Sequence, residues 1–243
     1  MITLRRSGER HDLQSSKQKT WMTFNQQDLT GRCAGGFGPL SVLNEYSLSP
    51  GAGIPFDPHH TQPVGEIVTY VRAGVLAFQG PKGRSIYAGE FQRTTAQSGI
   101  HLSQKNASRT EWAHVFQIGL HSSDAEGGGP YEQKRFSAAE RRDMLCIVAS
   151  PDARADSLRI ASNVIVHSAL LDSGQHLAHQ LLQGHSAWLH LVEGEATLDD
   201  IVLTAGDGVG IEDERAVSFT AWEKSEVLLF DFEQVVAASH PTG

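Results

Sequence analysis

The residues best equipped for chemistry fall in two short polar segments. Asp57-Pro58-His59-His60-Thr61-Gln62-Pro63-Val64-Gly65-Glu66 runs straight into the strand-like Ile67-Val68-Thr69-Tyr70-Val71. Gly99-Ile100-His101-Leu102-Ser103-Gln104 answers it downstream. Two such segments on neighbouring strands can converge on one cation, as in the mononuclear metal site of a small β-barrel. The residue types weaken that chemistry. Gln brings an amide oxygen but no charge and is a poor partner for Fe(II) or Zn(II), and Leu brings no ligand at all. Alternation along a strand sends His101 outward if Leu102 points inward. A one-residue bulge would reverse this, and a shifted loop would offer His59 in place of Gln62. The strand Ala113 to Leu120 puts His114 and Phe116 on one face, which is expected to line the same pocket.

These segments need strands to hold them, and alternation dominates the sequence. Strands are expected at Leu40 to Tyr46, Ile67 to Val71, Val75 to Gln79 and Ala113 to Leu120. In the second half they are expected at Ile160 to His167, Leu177 to Leu182, Ala187 to Val192, Val217 to Thr220 and Val227 to Phe232. Ser137 with Glu140 three residues on reads as a capping box opening a short helix over Ala138 to Met144. The halves echo each other. Tyr70-Val71-Arg72-Ala73-Gly74-Val75 matches Leu191-Val192-Glu193-Gly194-Glu195, and Ala88-Gly89-Glu90 matches Ala205-Gly206-Asp207. A repeated strand, Gly turn and strand implies two similar barrels in tandem. The small polar stretch Ser122 to Pro130 would join them, giving domains 1–130 and 131–243.

Composition narrows the function classes. With 40% hydrophobic and 20% charged residues in a chain of 243, a packed core is expected and disorder is not. A net charge of −8 argues against direct nucleic-acid binding. Met1-Ile2-Thr3-Leu4-Arg5-Arg6 leads into no apolar signal core, and no apolar run reaches spanning length, so a cytoplasmic protein off the membrane is expected. Cys33 and Cys146 sit in no metal or redox pattern and are expected as free thiols.

The order of several motifs resembles the pirin family of the cupin superfamily. Gly36-Phe37-Gly38-Pro39-Leu40 and Val42-Leu43-Asn44 resemble the family's amino-terminal arm. Glu66-Ile67-Val68-Thr69-Tyr70-Val71 resembles its Glu-x-x-Thr-Tyr signature. Ala88-Gly89-Glu90-Phe91-Gln92, Tyr131-Glu132-Gln133 and Ser150-Pro151-Asp152-Ala153-Arg154 resemble later segments. The resemblance implies an all-β bicupin: two antiparallel, jelly-roll-like barrels facing each other, with a short linking helix. It also implies one metal in the first barrel, held by His-x-His and His-x-Glu. Counting from Glu66 and from Gly99-Ile100 places His60, Gln62, Leu102 and Gln104 on those four positions, with His59 and His101 as the alternative register. One divalent metal is expected, iron ahead of zinc, nickel or manganese, and a metal-free site is the other outcome.

The leading reading is therefore a pirin-like bicupin with a small-molecule pocket in the first barrel and a degenerate metal site. A metal-dependent, quercetinase-type dioxygenase is one alternative, and a non-catalytic module that binds a protein partner is another. The second barrel is expected to be structural, filled by side chains such as Leu191, Val209 and Phe219. His176, His179, His185 and His190 are expected at surface or turn positions.

Overall fold

The computed structural model describes residues 1–24, 33, 35–54, 65–78, 84–95, 104–121 and 131–234. Its strands, in chain order, are β1 (Ile2–Arg5), β2 (His11–Gln14), β3 (Gln18–Met22), β4 (Leu40–Leu48), β5 (Glu66–Ala73), β6 (Val75–Phe78), β7 (Ser85–Tyr87), β8 (Glu90–Thr95), β9 (Gln104–Asn106), β10 (Ala113–Leu120) and β11 (Tyr131–Arg135). The helix α1 (Ala138–Arg141) follows, then β12 (Cys146–Ser150), β13 (Leu158–Arg159), β14 (Val164–Leu171), β15 (His176–Gln180), β16 (His185–Glu193), β17 (Glu195–Leu198), β18 (Ile201–Thr204), β19 (Gly208–Glu212), β20 (Ala216–Ala221) and β21 (Ser225–Glu233). No helix among the described residues is long and apolar enough to cross a membrane.

Each half pairs a large sheet with a small one. The first half has β11-β8-β5-β10-β4-β3-β2 against β7-β6-β9. The second has β1-β19-β16-β21-β14-β12-β13 against β15-β20-β17-β18. Two strands cross the expected boundary at residue 130. β1 pairs with β19 in the second barrel, and β11 pairs with β8 in the first. Pairing partners that distant in sequence leave no local signal, so a composition shift marks the linker and not the exchange of edges.

Alternation on the central strands explains the three cores. Tyr46, Leu48, Val71, Leu76 and Val115 fill the first barrel. Leu189, Leu191, Val209, Phe219 and Leu229 fill the second, as expected for Leu191, Val209 and Phe219. The other faces of the two large sheets meet in a shared core with Phe37, Tyr70, Phe91, Phe116, Trp188 and Phe230. Each large sheet is covered on both sides, so buried positions fall on both faces of central strands such as β10 and β16. In α1 the Ser137 hydroxyl accepts from the Glu140 amide at 3.3 Å and the Glu140 carboxylate accepts from the Ser137 amide at 2.7 Å, the expected capping box. The helix ends sooner than expected, at Arg141, with Asp143 in the left-handed region at φ 53.

The motif residues Glu66 and Tyr70 turn to the second barrel. The Glu66 carboxylate is 2% exposed. It accepts from the amides of Ala161 at 2.6 Å and Ser162 at 3.2 Å. Burial raises its pKa, against the pull of those two amides. The Tyr70 hydroxyl donates to Glu226 and accepts from Arg141 at 3.0 Å. Arg141 also reaches Ser168 at 3.1 Å, and Arg72 donates to Glu226 at 3.0 Å. A buried carboxylate is tolerated only with such pairing, and here the pairing joins the two barrels.

Candidate functional site

The mouth of the first barrel is set by strand register. Leu120 pairs with Glu66 and Glu66 with Thr95, so the end of β10, the start of β5 and the end of β8 lie together. Segments 55–64 and 96–103 join the chain at this end. His59, His60, Gln62, His101 and Leu102 all belong to them and lie outside the described residues. Gln104, the first residue of β9, is described. It is 4% exposed, and Gln117 of β10 donates to its side-chain oxygen at 2.7 Å. An amide bonded to an amide thus stands where the resemblance puts a carboxylate ligand. Among the described residues no group of three or more His, Cys, Asp or Glu side chains could hold a metal ion. Of the four family positions, Gln104 is the one that lies among the described residues.

His114 and Phe116 share a face, but not the one expected. Val115 packs inside the first barrel, so its neighbours point outward to the second. Phe116 lies in the shared core, its ring 6.1 Å from that of His190. The His114 Nε2–H donates to Glu45 at 2.7 Å, and Arg10 donates to the other Glu45 oxygen at 2.7 Å. Burial alone would raise the Glu45 pKa, but the His114 hydrogen bond and the Arg10 charge bring it down to about 2. Periodicity establishes which residues share a face. It does not say which face is inside when both are covered.

Five histidines, His167, His176, His179, His185 and His190, lie on strands of the second barrel. His176 is exposed, as expected. His190 is not at the surface: it is fully buried on β16, and neither ring nitrogen has a partner among the described residues. Burial, with the Arg10 charge adding to it, lowers its pKa to about 4. His179 and His185 are anchored rather than free, bonding the two oxygens of Asp231 at 2.8 and 2.7 Å. Burial opposes ionisation of Asp231, yet these two imidazoles hold its pKa low. His167, which the sequence did not single out, packs its ring 4.8 Å from that of His179. Its burial, and then its nearness to His179, lower its pKa to about 4. The signal for His190 was available: it sits in the otherwise apolar Ala187-Trp188-Leu189-His190-Leu191-Val192. The signal for Asp231 was not, because its partners come from distant strands.

Two antiparallel barrels packed through their large sheets, each with a small sheet closing it, define a bicupin. The profile described as Pirin matches residues 10–120, and the one described as Quercetinase C-terminal cupin domain matches residues 147–232. A protein of Escherichia coli (strain K12) named Quercetin 2,3-dioxygenase is 33% identical over 237 residues, covering 97% of this chain and all of that one. A Pirin-like protein of Caulobacter vibrioides is 33% identical over 199 residues, 80% of this chain and 84% of that one. The crystal structure of the bacterial pirin YhhW in complex with nickel(II), from Escherichia coli, superposes with a TM-score of 0.84 at 32% identity, over 97% of this chain and 100% of that one. The chain belongs to the pirin family.

Proposed function

We propose that this pirin-like bicupin binds a small molecule in its first barrel, at a metal site weaker than the family pattern. The observation that supports this reading is Gln104: a neutral amide tied to Gln117 at 2.7 Å where the resemblance expects an acid. Losing that carboxylate removes a charge that would attract a cation and a group that could accept a substrate proton. Iron would be the preferred metal, ahead of zinc, nickel or manganese, and it would be held loosely. A cytoplasmic setting fits two free cysteines, Cys33 and Cys146. The test is oxygen uptake with quercetin, before and after incubation with Fe(II) and Ni(II). Our reading expects no uptake above buffer in either case.

A second reading is favoured by the 33% identity, over 97% of the chain, to a protein named Quercetin 2,3-dioxygenase. In it the chain is a metal-dependent dioxygenase, with the metal supplying oxygen or substrate activation. Saturable, metal-dependent oxygen uptake with quercetin would establish that reading and overturn ours.

A further inference from the structure

One end of the second barrel gathers ionisable side chains from four strands. On β21, Val227 and Leu229 pack inside this barrel. Side chains alternate along a strand, so Asp231 points inward with them. Asp231 pairs with Ile165 of β14 and Ala187 of β16. His167 lies two residues after Ile165 and His185 two before Ala187, so both share its face. His179 reaches the same carboxylate from β15 of the small sheet. Ala187, Leu189, Phe219 and Leu229 fill the rest of the interior, which makes the cluster the polar end of an otherwise apolar core.

Each of the three imidazoles is tied by one nitrogen. Asp231 holds His179 through Nε2 at 2.8 Å and His185 through Nδ1 at 2.7 Å. His167 bonds the Leu229 backbone, and its ring lies 4.8 Å from that of His179. The other nitrogen of each makes no hydrogen bond to a described residue. His167 Nδ1 is buried without a partner, and His179 Nδ1 and His185 Nε2 bond nothing described. A neutral imidazole that donates from one nitrogen accepts at the other. The tied rings therefore offer three acceptors beside one carboxylate. Arg154, whose charge interacts with Asp231, is itself committed to Asp152 at 2.8 and 3.0 Å. Buried polar atoms are nearly always bonded to protein, water or a ligand, and a leucine would serve an apolar core better than His167 does.

The four side chains do not fit a metal ion. Metal–imidazole bonds are about 2.1 Å long, whereas hydrogen bonds run to about 3 Å. Acceptors spread too widely for one metal can still share a ligand that donates hydrogen bonds. We infer that this end of the second barrel is a binding site in which His167, His179, His185 and Asp231 hold the primary ammonium group of a small cation. An ammonium brings three N–H donors to the three imidazole acceptors, and Asp231 supplies the opposite charge. An anion would meet the Asp231 charge instead. The site is separate from the first barrel and does not depend on a ligand or metal there.

Histidine ring signals, read by NMR on the full chain after dialysis against EDTA, test it. Methylammonium should shift the His167, His179 and His185 signals saturably at pH 7.5. Tetramethylammonium, which has the charge but no N–H, should bind at least tenfold more weakly, and so should acetate. His167→Leu removes the unpartnered nitrogen, suits its apolar neighbours and should weaken methylammonium tenfold or more. Asp231→Asn should do the same, and His167→Leu carries the test if Asp231→Asn does not fold. The absence of a saturable methylammonium shift would overturn the inference. Equal binding of tetramethylammonium or acetate would do so as well, as would binding unchanged in folded His167→Leu. One equivalent of Ni(II) held by these three rings would assign the cluster to a metal and overturn it too.

Discussion

Gln104 and His190 show how much one side chain can say about a barrel. A glutamine where a family ligand is expected is legible in the sequence, because it depends only on residue type and register. Its partnership with Gln117 is not legible, since the two strands meet only in the fold. His190 is the converse. The sequence reading puts it at a surface or turn position, but its place in an apolar run buries it with no partner among the described residues. Both His167 and His190 have pKa values lowered from 6.5 to about 4. The neutral form is favoured in the folded state, so their contribution is full above pH 6.5 and is lost as the pH falls toward 4, up to ~3 kcal/mol each. Urea denaturation at pH 7.5 and 4.5 should therefore show a marked loss of stability at the lower pH. His190→Leu should flatten that dependence, and an unchanged slope would show that His190 is not its source.

At the level of elements, turns and pairs fix the architecture. Gly74 and Gly194 hold equivalent hairpins at φ 80 and 88, and the sequence repeat identified both. A Cβ on Gly194 would stand 2.6 Å from the Lys224 carbonyl oxygen. Gly194→Ala adds left-handed strain of ~1–2 kcal/mol to that clash. It should lower the melting temperature by several degrees, and an unaltered melt would mean the turn relaxes freely. The Glu66 and Tyr70 motif was readable as a string, but its work as the link between barrels was not, because Ala161, Arg141 and Glu226 lie far away in sequence. Tyr70→Phe leaves Arg141 and Glu226 each short of one partner. It should cost ~1–3 kcal/mol in urea denaturation, and a loss within error of zero would show that the pair re-forms without the hydroxyl.

Across the whole molecule the two barrels are one unit. They share an apolar core, exchange edge strands β1 and β11, and are joined by Tyr70 and Arg72 of β5, which bond Glu226 and, for Tyr70, Arg141 as well. The tandem-barrel plan was legible because alternation and Gly turns repeat along the chain. The central claim concerns the first barrel: a pocket kept, with its metal set depleted. Metal analysis of protein dialysed with one equivalent of Fe(II) tests it most directly, comparing wild type with Gln62→His, Leu102→His and Gln104→Glu combined. The account predicts well under one iron per wild-type chain. It predicts close to one in the triple variant, with a melting temperature that rises with the logarithm of excess metal. A full equivalent of iron in wild type, and no more in the variant, would contradict it and turn attention to His59 and His101.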